Sequence, residues 1–313
     1  MLTIEDLAVK YPGTTHRVVE RVDLEIATGE TLGLVGESGS GKSTVARAIV
    51  GLVAAEAGRI EIDGVDTTEG SGPGGAHRRR TVQMVFQDPA ASLHPRLTVG
   101  VALTEAASVV PGRSHKEATA RIGELLDLVG IPQGWSDRYP FELSGGQRQR
   151  VAVARALAAE PRLILLDEVT ASLDVSIQAT VLNLLRELQR ELGLTYLAIS
   201  HDLAVMRYLC DRIAVMEAGT ICEVGDADAV LGAPLHHYTD ALIDAVPVLG
   251  RARDRRIILT GEPTDPADRP SGCSFHLRCP AGPEARADRE RCRTEVPTRT
   301  GDPHDVRCHY PLH

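Results

Sequence analysis

The stretch Gly36-Glu37-Ser38-Gly39-Ser40-Gly41-Lys42-Ser43 sets glycines, one lysine and one hydroxyl at the G-x-x-x-x-G-K-[ST] spacing of a phosphate-cradling P-loop. The residues before it, Thr-Leu-Gly-Leu-Val at 31 to 35, read as a short buried strand, and Lys42 to Val53 as a helix. Between the two the backbone must fold tightly enough for successive N–H groups to face phosphate oxygens, and side chains on the glycines would obstruct that approach. The following helix adds the positive end of its dipole. Lys42 is expected to reach the β- and γ-phosphates and the Ser43 hydroxyl to ligate Mg²⁺, with Thr44 counted among the nucleotide-contacting residues. Lysine is scarce here (Lys10, Lys42 and Lys116 against 34 Lys plus Arg), so its use at position 42 is selective.

Further along, Leu143-Ser144-Gly145-Gly146-Gln147 opens a second helix. Ser144 is placed to cap it, and Gly145 and Gly146 leave its first amides bare for an anion. Leu163-Ile164-Leu165-Leu166 is an apolar run suited to a strand buried on both faces, as in a parallel sheet, and it ends in the acid pair Asp167-Glu168. The P-loop and the LSGGQ run together resemble the ATP-binding-cassette (ABC) family of ATPases.

That resemblance implies a role for each remaining element. Asp167-Glu168 resembles the Walker B end, with Asp167 in the Mg²⁺ shell and Glu168 as the base that orients and deprotonates the attacking water. Gln87, in Val85-Phe86-Gln87-Asp88-Pro89, matches the Q-loop that touches Mg²⁺ and senses the membrane partner. Asp174, in Ala171-Ser172-Leu173-Asp174, matches the D-loop that crosses the dimer interface. His201, after the run Thr195 to Ile199, matches the switch histidine on the γ-phosphate, and Tyr11 matches the aromatic that stacks on adenine. Val169 departs from the family, in which proline or alanine is commoner after the glutamate. In the family the loop of Ser144, Gly145, Gly146 and Gln147 completes the ATP site of the opposite subunit, so an isolated monomer is expected to be inactive.

The elements that must hold these residues divide the chain. An apolar content of 43% suffices for a core, and aromatics at 3% leave that core to Ala, Val, Leu and Ile. A formal net charge of −9 argues against a nucleic-acid binder, and Arg78-Arg79-Arg80 reads as a solvated loop end. No stretch approaches the run of about 18 apolar residues that spans a bilayer, and the acidic N-terminus lacks the pattern of a signal peptide. Alternating strand and helix patterns give an α/β fold, and the resemblance implies a P-loop NTPase with an ABC cassette over residues 1–232 and a helical subdomain at about 89–159. Within that subdomain Ser114-His115-Lys116-Glu117 is a capping box that opens a helix carrying Ile122, Leu125, Leu126 and Val129. Gly70 to Gly75 reads as a flexible loop, and no internal repeat is present.

Residues 233–313 form an irregular extension with one short helical run near Tyr238 to Val246. Pro234 to Leu242, Val246-Pro247 and the Gln87 to Arg96 stretch resemble the ATPases of oligopeptide/dipeptide importers. The resemblance implies an energy-coupling subunit on the cytoplasmic face of the membrane. Its partners would be a second, similar or identical ABC ATPase, two transmembrane permease subunits and an extracytoplasmic substrate-binding protein. Import of nickel or another small solute, an exporter ATPase and a soluble non-transport ABC ATPase are the alternatives.

Cys273, Cys279, Cys292 and Cys308, spaced C-x5-C-x12-C-x15-C, stand in a tail too poor in apolar residues to fold on a core of its own. Four thiolates on one metal centre would supply the missing stability. Zinc fits four thiolates, but structural zinc sites usually use short C-x-x-C pairs, which are missing here. The segment Gly272 to Pro280 also resembles the cysteine-bearing tail of the peptide-importer ATPases, and that implies a [4Fe–4S] cluster. Cluster, zinc and free thiols remain the readings, with His276 and His309 as alternative ligands or bystanders and Cys210 and Cys222 as packing residues.

Overall fold

A computed structural model describes residues 1–88, 92–245, 259, 262 and 264–312. Pro89, Ala90 and Ala91 of the Gln87 to Arg96 stretch, and Val246-Pro247, lie outside the described residues. The strands are β1 (Leu2–Val9), β2 (Val19–Ile26), β3 (Thr31–Val35), β4 (Ala57–Ile62), β5 (Val65–Asp66), β6 (Val82–Val85), β7 (Leu163–Asp167), β8 (Thr195–Ile199), β9 (Arg212–Glu217), β10 (Thr220–Asp226) and β11 (Asp305–Val306). The helices are α1 (Lys42–Val50), α2 (Gly72–Thr81), α3 (Val99–Ala107), α4 (His115–Ala120), α5 (Ile122–Leu128), α6 (Gly145–Ala158), α7 (Val175–Leu192), α8 (Leu203–Leu209), α9 (Ala227–Gly232), α10 (His237–Asp244) and α11 (Arg291–Thr294). The chain forms two compact units: one of Met1–Leu2, Ile26–Thr31 and Glu61–Ser200, the other of Thr3–Glu25, Leu32–Ile60 and His201–His313.

In the first unit β6, β7 and β8 run parallel, with Val82 beside Leu163 and Asp167 beside Ile199. Every residue of β7 and β8 is buried, as continuous apolar runs in a parallel sheet require. Helix α7 turns Val181, Leu182, Leu185 and Leu188 inward at helical spacing, and the Tyr196 hydroxyl from β8 donates to the Leu185 carbonyl at 3.0 Å. The capping box at Ser114 is formed, but its helix breaks at Arg121 into α4 and α5.

Two expectations fail in this unit. The stretch Gly70 to Gly75 is not a loop throughout, because α2 starts at Gly72 with Pro73 in its first turn, where a fixed φ suits a helix start. Arg78 is not at a solvated loop end either. It lies in the last turn of α2, is buried, and donates to the Thr67 carbonyl at 2.8 Å; Arg79 and Arg80 are exposed as expected.

In the second unit β3 runs parallel to β9, β9 pairs antiparallel with β10, and β10 with β11. Helix α1 ends at Val50 rather than Val53, because Gly51 takes a left-handed cap whose amide bonds back to Ala48 and Arg47. The tail is better anchored than its composition foretold. β11 extends the sheet, and Phe275 and Val306 are buried. The Glu223 carboxylate on β10, 1% exposed, accepts the amides of Leu235 and His236 at 2.8 and 2.9 Å. His304 Nε2 lies 2.7 Å from the same carboxylate.

His236 caps α10 by accepting the Tyr238 amide on Nδ1, and full burial pushes its pKa down to about 3. Between the ordinary histidine value near 6.5 and that lowered value, the unfolded chain binds a proton that the folded chain refuses. Stability carried by neutral His236 is therefore present above about pH 6.5 and is lost as pH falls toward 3. Asparagine keeps the capping acceptor without titrating. His236→Asn should lose about 1 kcal/mol less than wild type between pH 7 and 5.5 in denaturant unfolding. Equal losses in the two proteins would contradict a neutral, buried His236.

Candidate functional site

The P-loop closes between β3 and α1 in the second unit. Gly36 has φ 153°, and a Cβ there would stand 2.1 Å from the Met216 carbonyl oxygen on β9, so the loop leaves the strand against bare backbone. Lys42 is buried and reaches back through the loop, with Nζ donating to the Gly36 and Glu37 carbonyls at 2.8 Å each and to Ser40 Oγ at 3.3 Å. Gly219, in the turn after β9, donates to the Ser40 carbonyl at 2.9 Å. Gly41 is the N-cap of α1 and supplies no side-chain acceptor, so no cap side chain competes for the amides that open the helix. Ser38 and Gly39 form the exposed crest, Ser43 is half-buried and Thr44 is buried.

The same unit holds Tyr11, whose hydroxyl lies 3.2 Å from Thr44 Oγ1, and, just before α8, an exposed His201. Two residues of the tail join them. The Tyr238 hydroxyl accepts the Glu37 amide at 2.8 Å. The Arg278 guanidinium grips both Glu37 carboxylate oxygens at 2.7 and 2.8 Å, and this pairing raises the Arg278 pKa.

The other expected residues belong to the first unit. Asp167 ends β7 and is buried, and Glu168 follows at φ 48° with its amide donating to the Ile199 carbonyl at 2.8 Å. A non-glycine residue at positive φ is a strained position of the kind found at functional sites. Gln87 Nε2 donates to Glu168 Oε2 at 2.9 Å, so the structure joins these two side chains. Val169, next in the chain, is buried. Asp174 caps α7 by accepting the Ile177 amide at 2.9 Å and the Ser176 hydroxyl at 2.8 Å; the Ile177 amide, chief among these contacts, holds its pKa down.

Ser144 caps α6 in a full capping box, accepting the Gln147 amide while Gln147 Oε1 accepts the Ser144 amide. Gly146 also has a packing reason, beside the anion-facing one its motif suggests. A Cβ there would lie 2.3 Å from Ile177 Cγ2, so glycine at 146 permits the close packing of α6 on α7.

The expected metal centre in the tail meets a correction. Among the described residues no group of three or more His, Cys, Asp or Glu side chains is arranged to hold a metal ion, so the structure supports neither the expected [4Fe–4S] cluster nor zinc on Cys273, Cys279, Cys292 and Cys308. Burial pushes the Cys279 thiol up to about 12 and raises the other three as well. The four still neighbour one another electrically: the charge of Cys308 is felt at Cys273 and Cys279, and that of Cys292 at Cys279 and Cys308. His276 and His309 face carbonyls, those of Cys273 at 2.8 Å and Glu295 at 2.9 Å, and Cys210 and Cys222 are buried. Sequence reasoning missed Tyr238, Arg278 and Ile177, because no local pattern announces a partner hundreds of residues away or on the next helix.

Comparison with known proteins agrees with this geometry. A family profile described as ABC transporter matches residues 19–171, and one described as oligopeptide/dipeptide transporter, C-terminal region, matches residues 222–285. A Brucella abortus protein provisionally named as a peptide import ATP-binding protein is 47% identical over 94% of this chain and 86% of its own length. A Brucella ovis protein of the same provisional name is 44% identical over 95% of this chain and 93% of its own. Among solved structures, cbiO1 of Clostridium perfringens, part of the ABC transporter complex cbiONQ, superposes with a TM-score of 0.67 and 31% identity, covering 74% of this chain and 90% of its own. The dimeric ATP-binding cassette MJ0796 in a post-hydrolysis state, bound to ADP and Pi, gives a TM-score of 0.65 and 30% identity over 72% of this chain and 99% of its own.

Proposed function

This chain belongs to the ABC transporter family of ATPases, and from that premise we propose that it is the ATP-hydrolysing, energy-coupling subunit of an oligopeptide/dipeptide importer. One observation carries the proposal: a P-loop with an inward-folded lysine shares the chain with a tail that matches the oligopeptide/dipeptide transporter family. The proposed division is a cassette over residues 1–232 and an extension over 233–313. The proposed partners are a second ABC ATPase, two membrane permeases and an extracytoplasmic binding protein, with the chain docked on the cytoplasmic face of the membrane. Among the described residues no helix is long and apolar enough to cross a membrane, so the pore would come from the permeases.

In this proposal the amides of residues 37–43 and Lys42 hold the triphosphate of ATP, Tyr11 carries the adenine, and His201 contacts the γ-phosphate. Ser43, Gln87 and Asp167 offer hard oxygen donors suited to Mg²⁺, which would neutralise charge developing on the phosphates. Glu168 takes the proton of the attacking water. Its bond from Gln87 supports a further reading, that Gln87 orients this carboxylate until nucleotide draws the glutamine away. Ser144, Gly145, Gly146 and Gln147, with Asp174, would serve the ATP of the partner cassette.

Glu168→Gln preserves size but removes the base, a role worth roughly 10²–10⁴ in rate. In the assembled transporter this variant should bind ATP as wild type does while ATP hydrolysis and uptake of labelled peptide both fall by at least about 10²-fold. Near wild-type hydrolysis would remove Glu168 from the role. Hydrolysis without peptide uptake in the wild-type complex would point to another solute.

The proposed [4Fe–4S] cluster on Cys273, Cys279, Cys292 and Cys308 rests on the sequence, four thiols in a tail short of apolar residues, for which a thiolate-bound cluster would be a cross-link. Anaerobic purification of the full chain should then give a brown protein whose colour is lost in Cys292→Ser. A colourless anaerobic protein without iron would leave the four as free thiols.

A further inference from the structure

The segment from Cys273 to Cys279 touches the nucleotide loop, and each of its contacts is made by a different chemistry. Arg278 forms the two-pronged bridge to Glu37, the second residue of the P-loop, with only 6% of its own side chain exposed. Its Nε is buried without a hydrogen-bond partner, so among the described residues the hydrogen bonds of the guanidinium go to Glu37 alone. Phe275 packs edge-on against Tyr238 with ring centroids 5.3 Å apart, and the Tyr238 hydroxyl takes the Glu37 amide. Ser274 donates to Glu217, the buried last residue of β9, against whose neighbour Met216 the loop's first glycine is pressed. Lys42 meanwhile pulls on the Gly36 and Glu37 carbonyls from the inner side of the loop. The peptide unit at 36–37 is thus held by its carbonyls, its amide and its side chain at once.

A carboxylate at this position has an electrostatic consequence. Unpaired, Glu37 would stand next to a site for a tri- or tetra-anion and oppose its entry. Paired in a fork with Arg278, it becomes a neutral handle whose geometry is fixed at both oxygens.

We propose that Arg278, with Tyr238, is a positioning residue for nucleotide: the cysteine-bracketed segment of the tail clamps the P-loop through Glu37 and sets its affinity for ATP. The inference rests on the ATP-binding reading of the P-loop given above and adds a role for the tail in it. The clamp acts on binding and leaves the hydrolytic step to other residues. Loosening it spreads the loop over conformations in which its amides no longer converge, and apparent affinity falls with the fraction that remains competent.

The test is a titration of the full chain, in its assembled transporter, with MgATP, combined with steady-state hydrolysis. Arg278→Gln should raise the Kd and KM for ATP about tenfold while kcat at saturating ATP stays within about twofold. Glu37→Gln should give a loss of similar size, and the double variant should be no worse than either single change, because both remove one interaction. Wild-type affinity in Arg278→Gln, or a double variant whose loss is the product of the two, would overturn the clamp. Recovery of affinity in the double variant would overturn it too, since that result needs charge neutralisation alone. If Arg278→Gln does not accumulate as folded protein, Glu37→Gln decides by itself: weakened ATP binding supports the clamp, and unchanged or tighter binding refutes it. Failure of the wild-type complex to bind or hydrolyse ATP would instead strike the underlying reading, so the two failures are separable.

Discussion

The close approach of the P-loop to bare backbone is the constraint on which the second unit is built. Gly36 lies against the Met216 carbonyl, and any Cβ there would collide at 2.1 Å. To keep amides of 37–43 pointing outward, the loop needs a wall behind it and ties along it. The wall is the end of β9 with the turn to β10, which also bonds the Ser40 carbonyl through Gly219. The inner tie is Lys42, whose buried ammonium satisfies two carbonyls of the loop it belongs to. A lysine held this way is already poised where phosphate charge would arrive, so little reorganisation separates the empty loop from a binding one.

The tail is organised around buried polar groups more than around an apolar core. Glu223 on β10 gathers two amides at the start of the extension and a histidine near its end. β11 pairs with the same strand, and Phe275 fills the space between His236 and Tyr238. These contacts supply ordering that composition alone assigned to a metal. They also bring the cysteine-bearing segment to the edge of the nucleotide loop, where Arg278 meets Glu37.

How much of this was legible beforehand follows from the range of each interaction. The buried strands 31–35, 163–167 and 195–199 and the capping boxes at Ser114 and Ser144 are signalled by neighbours within a few residues, and they stand where the sequence placed them. The P-loop is legible for the same reason. Helix α2 was missed because glycines near Pro73 mask a helix that Arg78 secures by a bond eleven residues back in the chain, to Thr67. The packing reason for Gly146 was not legible because its neighbour, Ile177, comes from the next helix. The Glu37–Arg278 fork and the Glu223 anchor join residues far apart, and such pairs leave no period in the sequence.

The central claim is that the amides between Gly36 and Thr44 receive the phosphates of ATP. Hydrogen–deuterium exchange of the full chain in its assembled transporter, with and without saturating MgATP, tests it at the atoms concerned. The account predicts slowed exchange at residues 38–44, with little change in the Glu223-anchored start of the tail at 235–244. Unchanged exchange across residues 38–44 under conditions where ATP is bound would contradict it.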